Sequence, residues 1–245
     1  MSGARRREPG PIRRVEADLG AEIDRDAWWA KIPAIAAILE HGLNIPAGVT
    51  FLVGENGSGK STLIEALAAV HGLNPEGGSR GARHSTRVTE SPLGSALRLI
   101  RTPGRTVNSY FLRAETTHGL YTYLEELPGP HPDTDLHDRS HGEGFLELLD
   151  RKFRGYGFYL MDEPEAPLSF TSTLGLLARL DALREKGAQV VVATHSPVLT
   201  ALPGATILEL GAHGIRRVKW DELEIVAHWR RFMERPDGYL RNLLQ

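Results

Sequence analysis

The sequence has 245 residues, of which 41% are hydrophobic and 24% charged, a composition typical of a soluble globular protein. It contains no cysteine, which excludes disulfides, thiolate metal sites and thiol catalysis and fits a reducing cytoplasm. The net charge of −2 gives no overall attraction to nucleic acid, and no run of 18 apolar residues offers a transmembrane helix.

The N-terminal 20 residues are rich in Arg, Pro and Gly, and this composition predicts a mobile tail over residues 1–20. No apolar core follows Arg5-Arg6-Arg7, so we expect no secretory signal and place the protein in the cytoplasm. The remaining residues, 21–245, are predicted to form a single domain.

Apolar periodicity and turn residues predict strands that alternate with helices. In the first half these are a helix from Asp26 to His41 entered or broken at Pro33, a strand over Val49–Val53, a helix from Lys60 to about His71 ending near Gly72, and strands over Leu97–Ile100 and Ser109–Arg113. In the second half they are a helix over Gly144–Lys152, a strand over Phe158–Met161, a helix over Leu174–Glu185, a strand over Gln189–Thr194, a hairpin of Ala205–Leu210 with Ile215–Trp220, and a final helix capped by Asp221 with Glu224 completing a capping box. The alternation predicts an α/β fold with a mainly parallel sheet flanked by helices.

A glycine-rich loop follows the first buried strand and matches the phosphate-binding pattern Gly-x4-Gly-Lys-Ser. Glycines let backbone N–H groups turn inward around an anion, and the positive end of the next helix adds to that field. Lys60 is predicted to reach the β- and γ-phosphates, and Ser61 to bind Mg²⁺. The predicted ATP-binding residues of this loop are Gly54, Asn56, Gly57, Ser58, Gly59, Lys60, Ser61 and Thr62.

Two adjacent acids end the buried strand at Phe158–Met161, in the form of a Walker B motif. A buried strand holds Asp162 rigidly beside the loop, where we predict that it binds the magnesium shell. Glu163 is then the predicted general base that polarises the attacking water. These motifs together predict a P-loop NTPase with ATP and Mg²⁺ as its ligands.

The order of further motifs resembles the ABC-type ATPases, which include transporter engines and SMC-like DNA-repair ATPases. Ser140-His141-Gly142-Glu143-Gly144 lies where that class carries its Leu-Ser-Gly-Gly-Gln signature, with His141 in place of the first glycine and Arg139 in place of the leucine. His195 follows a buried strand as the class's switch histidine does, and Pro164 to Ser169 stands at its D-loop position. The whole set looks most like a group of small stand-alone bacterial AAA-family ATPases.

The resemblance implies a homodimer that closes head to tail around two ATP molecules and opens on hydrolysis. Ser140 and Gly142 would bind the γ-phosphate held by the other subunit, and His195 would sense it. Glu115, at the position of the class's Q-loop glutamine, would contact magnesium through water. The adenine-stacking aromatic of the class has no assigned counterpart, since Trp28 and Trp29 suit core packing equally well.

Alternative functions stay open on the sequence alone. They are an ATPase subunit that serves a separate membrane transporter, a DNA-linked ATPase, and an antiviral-type nucleotide-gated module with little hydrolysis. The spacing from Glu115 to Ser140 is short for a transporter docking region, and only 80 residues separate Lys60 from Ser140, too few for a long coiled-coil arm. Binding to DNA therefore has no specific support, and a small-molecule kinase would leave the signature-like motif and His195 unexplained.

Overall fold

The computed structural model of the chain describes residues 9–75, 77–78, 92–103, 108–114 and 141–241. The strands are β1 Ile12–Ala17, β2 Leu43–Asn44, β3 Val49–Val53, β4 Leu97–Arg101, β5 Asn108–Arg113, β6 Gly157–Asp162, β7 Gln189–Ala193, β8 Thr206–Gly211 and β9 Gly214–Val218. The α-helices are α1 Pro33–His41, α2 Lys60–His71, α3 His141–Lys152, α4 Phe170–Glu185, α5 Glu224–Glu234 and α6 Pro236–Leu240. Within these ranges, no helix has the length and apolar character needed to cross a membrane.

The main sheet has six strands in the order β5-β6-β7-β3-β8-β9, and all neighbouring pairs are parallel except β8 with β9. The carboxyl ends of parallel strands share one edge of a sheet. In register, Leu52 lies beside Ala193, which lies beside Asp162. The loops after β3, β6 and β7 therefore meet at a single edge, which confirms the predicted mainly parallel sheet.

Both faces of the main sheet are covered, as the continuous apolar strands predict. Leu52 points into a core shared with α1 and α2, whereas its neighbours Phe51 and Val53 point into a second core shared with α3, α4 and α5. The strands are thus held from both sides, and their carboxyl ends are fixed for the site that follows.

Helix α2 begins and ends at the predicted residues because a glycine flanks each end. Gly59 precedes the helix at φ +97°, and Gly72 follows it at φ +85°, donating hydrogen bonds to the carbonyl oxygens of Ala68 and Ala69. Left-handed backbone at these positions favours glycine, which has no Cβ to clash. Because glycines fix both ends of the helix, Lys60 and Ser61 lie in its first turn.

A second, three-stranded antiparallel sheet has the order β2-β1-β4, and it corrects the prediction of a mobile tail. Residues Ile12 and Val15 of β1 are fully buried. The buried Gln189 side chain accepts a hydrogen bond from the Ile12 N–H at 2.8 Å and donates to the Ile12 carbonyl at 2.7 Å. The amide of Gln189 also donates to the Ile45 and Pro46 carbonyls, so it anchors the central strand of this sheet to the start of β7. Residues 1–8 lie outside the described part of the chain.

The start of the C-terminal helix also differs from its prediction. Asp221 lies inside a 3-10 turn, Trp220–Glu222, and α5 begins at Glu224 with no side-chain cap. The reciprocal capping contact belongs to this turn, where the Glu222 carboxylate accepts from the Lys219 N–H at 2.8 Å. The capping acid is therefore Glu222 rather than Asp221, and it caps the 3-10 turn rather than α5.

Candidate functional site

The glycine-rich loop between β3 and α2 wraps around the side chain of Lys60. The Lys60 ammonium donates hydrogen bonds to the carbonyl oxygens of Gly54 at 2.8 Å and Glu55 at 3.1 Å. Only 4% of Lys60 is exposed, and this burial lowers the pKa of its ammonium, although the nearby acids, Glu163 foremost, oppose the shift. The loop therefore presents a fixed positive charge at its centre.

Two features of the loop require glycine. A Cβ at Gly54 would lie 2.3 Å from the Leu210 carbonyl oxygen, so a side chain there would push the loop off β8. Gly57 adopts φ +79°, a backbone conformation that L side chains rarely take. The loop is thus held against its neighbouring strand in a shape that the sequence pattern prescribes.

Ser61 and Asp162 come together although 101 residues separate them in the chain. The Ser61 hydroxyl donates to Asp162 Oδ1 at 3.2 Å. Burial raises the pKa of the Asp162 carboxyl to about 6, against the lowering effect of Arg113, whose Nε lies 3.9 Å from Oδ2. Arg113 also pairs with Glu65 on α2 at 2.7 Å. The hydroxyl and the carboxylate form a hard oxygen pair of the kind that Mg²⁺ prefers.

Glu163 and His195 face each other at the ends of β6 and β7. Glu163 Oε1 lies 3.2 Å from His195 Nε2, and both side chains are partly exposed, by 41% and 32%. The backbone of Glu163 has φ 48°, and its N–H donates to the Ala193 carbonyl at 2.9 Å. This left-handed turn directs the acid away from the strand and toward the next loop.

A third acid, Glu165, holds the loop that carries His195. Its Oε1 accepts hydrogen bonds from the Thr194 hydroxyl and from the His195 backbone N–H, the latter at 2.9 Å. The Thr194 hydroxyl in turn accepts from the Ser196 N–H at 2.9 Å. Sequence reasoning missed Glu165 because its partners are about 30 residues away, and its position directly after Glu163-Pro164 was the only local signal.

Comparison with known proteins finds similarity around the glycine-rich loop. Residues 49–152 match the family described as "AAA domain, putative AbiEii toxin, Type IV TA system". This segment begins at β3 and includes the glycine-rich loop and all of α2 and α3.

Curated relatives include sugar-import ATP-binding proteins. The chain is 26% identical over 199 residues to the arabinose import ATP-binding protein AraG 2 of Burkholderia ambifaria, covering 72% of this chain and 38% of that protein. It is 28% identical over 165 residues to the ribose import ATP-binding protein RbsA of Chromobacterium violaceum, covering 59% of this chain and 33% of that protein. Over these regions the chain is similar to ABC-type P-loop ATPases. It spans well under half the length of these relatives.

A solved structure titled "An inward-facing conformation of a putative metal-chelate type ABC transporter" aligns over 75% of this chain and 76% of that chain, with 17% identity and a TM-score of 0.43. A TM-score of this size does not by itself establish a shared fold. The assignment of the chain to the P-loop fold rests on its strand order and on the loop between β3 and α2.

The residues around the loop fit a nucleotide with Mg²⁺. The Ser58 hydroxyl oxygen is enclosed and has no hydrogen-bond partner within the described part of the chain, as expected for a group that awaits an anion. Among the described residues, no group of three His, Cys, Asp or Glu side chains could hold a metal ion. Ser61 and Asp162 would therefore need phosphate oxygens to complete a magnesium shell, which is how Mg²⁺ is usually bound.

The remaining predicted site residues have different outcomes. Asn56 lies in the loop and lines a cavity beside it, and Thr62 lies in the first turn of α2. Gly142 is the second residue of α3, which begins three residues earlier than predicted. Glu115 and Ser140 lie outside the described residues, so their predicted contacts stay predictions.

Proposed function

We propose that this chain is a Mg²⁺-dependent ATPase and that ATP binding drives two copies of it to dimerise. One observation carries the proposal: Lys60, the Ser61–Asp162 pair and the Glu163–His195 pair lie at the ends of adjacent strands at one edge of the sheet. Each pair joins residues that are far apart in sequence, so their convergence is not a consequence of local spacing.

Phosphate binding falls to the loop and to Lys60. The ammonium now bonded to the Gly54 and Glu55 carbonyls would turn to the β- and γ-phosphates, and the Ser58 hydroxyl would gain its missing partner. Ser61 and Asp162 would hold Mg²⁺, which neutralises charge that develops on the phosphates. Glu115 would reach the same ion through water.

Glu163 is positioned to act as the general base. Its carboxylate is partly exposed, so a water molecule can reach it, and it contacts His195 from the neighbouring strand end. His195 would hold the γ-phosphate, and Glu165 keeps the His195 backbone in place through the hydrogen bond to its N–H. The acid and the histidine would thus act side by side on the same reacting group.

The second half of each site would come from another copy of the chain. Gly142 lies at the start of α3, where backbone N–H groups have no intrahelical partner and can bind an anion. Ser140, immediately before that helix, would add its hydroxyl. Closure of two chains around two ATP molecules would then depend on the γ-phosphate.

Glu163→Gln tests both parts of the proposal. We expect turnover to fall by at least about a hundredfold, because the amide cannot accept the proton of the attacking water. We also expect ATP-dependent dimers to accumulate, measured by light scattering after gel filtration with and without Mg²⁺ and ATP. Glu185→Gln, an exposed acid at the end of α4, is the matched control and should behave as wild type. Unchanged turnover would show that Glu163 is not the general base. Chains that stay monomeric with Mg²⁺ and ATP would contradict ATP-driven dimerisation.

A transporter subunit is the second candidate, because the curated relatives are named as import ATP-binding proteins. In that case the chain would dimerise on a separate membrane protein and hydrolyse ATP only slowly alone. Purification from detergent-solubilised membranes with a tagged chain tests this: recovery of one stoichiometric membrane protein that raises turnover would favour the transporter role.

A further inference from the structure

A cavity of about 560 Å³ opens beside the phosphate loop on the side of the β8–β9 hairpin. Residues 54–58 of the loop form one wall, and the hairpin turn at Gly211 to His213 forms the facing wall. His195 also lines the cavity at its phosphate end. The space therefore continues directly from the place where the phosphates would bind, and its size suits a small-molecule ligand.

The walls of this cavity are fixed. Gly54 lies so close to β8 that an added Cβ would be 2.3 Å from the Leu210 carbonyl oxygen, which sets the distance between loop and hairpin. Across the hairpin, Arg216 Nε donates to Glu209 at 2.6 Å, and only 7% of Glu209 is exposed. A ligand would enter a preformed cleft.

His213 supplies an aromatic face in this cleft. Its Nε2 lies 3.3 Å from the Glu209 carbonyl oxygen, and its ring is packed so closely over Gly211 that a Cβ there would lie 2.9 Å from the ring. The ring is nevertheless 40% exposed. Among the described residues that line the cavity, His195 and His213 are the aromatic side chains, and Ile225 and Pro33 add apolar surface.

The two tryptophans upstream of the loop do not reach this cavity. Trp29 is buried at 3% exposure, and Trp28 is 63% exposed, but neither lines the space beside residues 54–58. A base that leaves the phosphate loop on this side would meet His213 instead.

We propose that the nucleoside half of the nucleotide occupies this cavity and that its base stacks on His213. The proposal rests on the proposed function, since it assumes that the phosphates bind at the loop. It assigns His213 as the residue through which the chain distinguishes a nucleotide from a bare polyphosphate. The apolar side chains of Pro33 and Ile225 complete the base site.

Calorimetric titration with Mg-ADP and with Mg-pyrophosphate tests this assignment, because neither probe is a substrate for γ-phosphate hydrolysis. We expect His213→Ala to weaken ADP binding about tenfold and to leave pyrophosphate binding unchanged, since a base stacked on a ring contributes about that much. His213→Phe should keep ADP affinity within about twofold of wild type. His228→Ala, an exposed histidine on α5 outside the cavity, is the control.

The outcomes separate the two proposals. Equal ADP affinity in wild type and His213→Ala, or an equal loss of ADP and pyrophosphate affinity in His213→Ala, would overturn the role of His213. Neither outcome would contradict phosphate binding at the loop of the wild-type chain. Equal affinity of wild type for ADP and pyrophosphate would overturn the nucleoside site. If wild type bound neither ADP, ATP nor pyrophosphate, the proposed function would fail and this inference with it.

Discussion

Asp162 shows how one residue can lower the stability of the fold for the sake of the site. Only 5% of Asp162 is exposed, and burial raises the pKa of its carboxyl from 3.8 to about 6. The Ser61 hydrogen bond and the Arg113 charge oppose this shift but do not cancel it. At neutral pH the ligand-free chain therefore holds a carboxylate that would be more stable in water.

The shift predicts a specific pH dependence for the magnesium-free chain. Because the folded chain binds this proton more tightly than the unfolded chain, the free energy of unfolding should fall as pH rises from about 4 to about 6 and then level off. Asp162→Asn should remove that decline and stabilise the chain at pH 7 by up to about 3 kcal/mol, because a shift of one pKa unit corresponds to about 1.4 kcal/mol.

Urea unfolding between pH 4 and pH 8 with excess chelator measures this effect. Asp237→Asn, an exposed acid on α6, should keep the wild-type profile. A decline of wild-type size in Asp162→Asn would show that another group causes it.

Among the secondary-structure elements, β1 departs furthest from expectation. Its strand is held by pairing with β2 and β4 and by the Gln189 side chain, which satisfies the N–H and carbonyl of Ile12. A Cβ at Gly10 would lie 2.6 Å from the Gln189 side chain, so the chain passes tightly over that amide. One buried side chain thus links the two sheets at the end opposite the site.

Gln189→Leu should loosen the attachment of β1 to β7. The substitution keeps the volume but leaves the Ile12, Ile45 and Pro46 backbone groups without their partner, and we expect a loss of at least about 3 kcal/mol. Asn108→Ala, which removes one hydrogen bond to the Arg154 carbonyl at an exposed strand start, should cost only about 1 kcal/mol.

Urea unfolding and amide exchange of β1 report this loss separately. If Gln189→Leu kept wild-type stability and wild-type protection of the Val15 amide, the anchoring role of Gln189 would be wrong.

On the scale of the whole molecule, the site lies where both hydrophobic cores meet the same strands. Strands β3, β6 and β7 send alternate side chains into the two cores, and their carboxyl ends carry the phosphate loop, Asp162 and His195. A ligand that bridges these ends contacts three central strands at once. Its binding energy should therefore stabilise the fold as a unit rather than one loop.

Thermal unfolding with Mg²⁺ and ATP tests this coupling. At about a hundred times the dissociation constant, a ligand specific for the folded chain adds about 2.7 kcal/mol, and we expect Tm to rise by about 5 °C or more. Lys60→Ala should abolish the rise, whereas Lys186→Ala, an exposed lysine after α4, should retain it. An equal rise in Lys60→Ala would place the nucleotide away from the loop.

The sequence predicted what depends on neighbouring residues. The limits of β3 and α2 follow from an apolar run, a glycine pattern and Gly72, and these were confirmed. The strand β1 was missed because its burial depends on Gln189, 177 residues away. Glu165 was missed for the same reason, since its place directly after Glu163-Pro164 does not reveal a hydrogen bond to the His195 N–H, 30 residues away. The sequence alone therefore predicted elements that depend on local periodicity, but not contacts between residues far apart in the chain.

Among the described residues, Glu163 is the only one other than glycine with a positive φ, at 48°. Such a backbone costs a side-chain residue on the order of 1 kcal/mol or more, a cost that glycine avoids. Selection for heat resistance alone should therefore enrich Glu163→Gly. The surviving chains should melt at higher temperature than the parent and release no phosphate, because the residue that strains the turn is the one proposed to activate water. Thermal stability and ATP turnover would thus place opposite demands on position 163 of this chain.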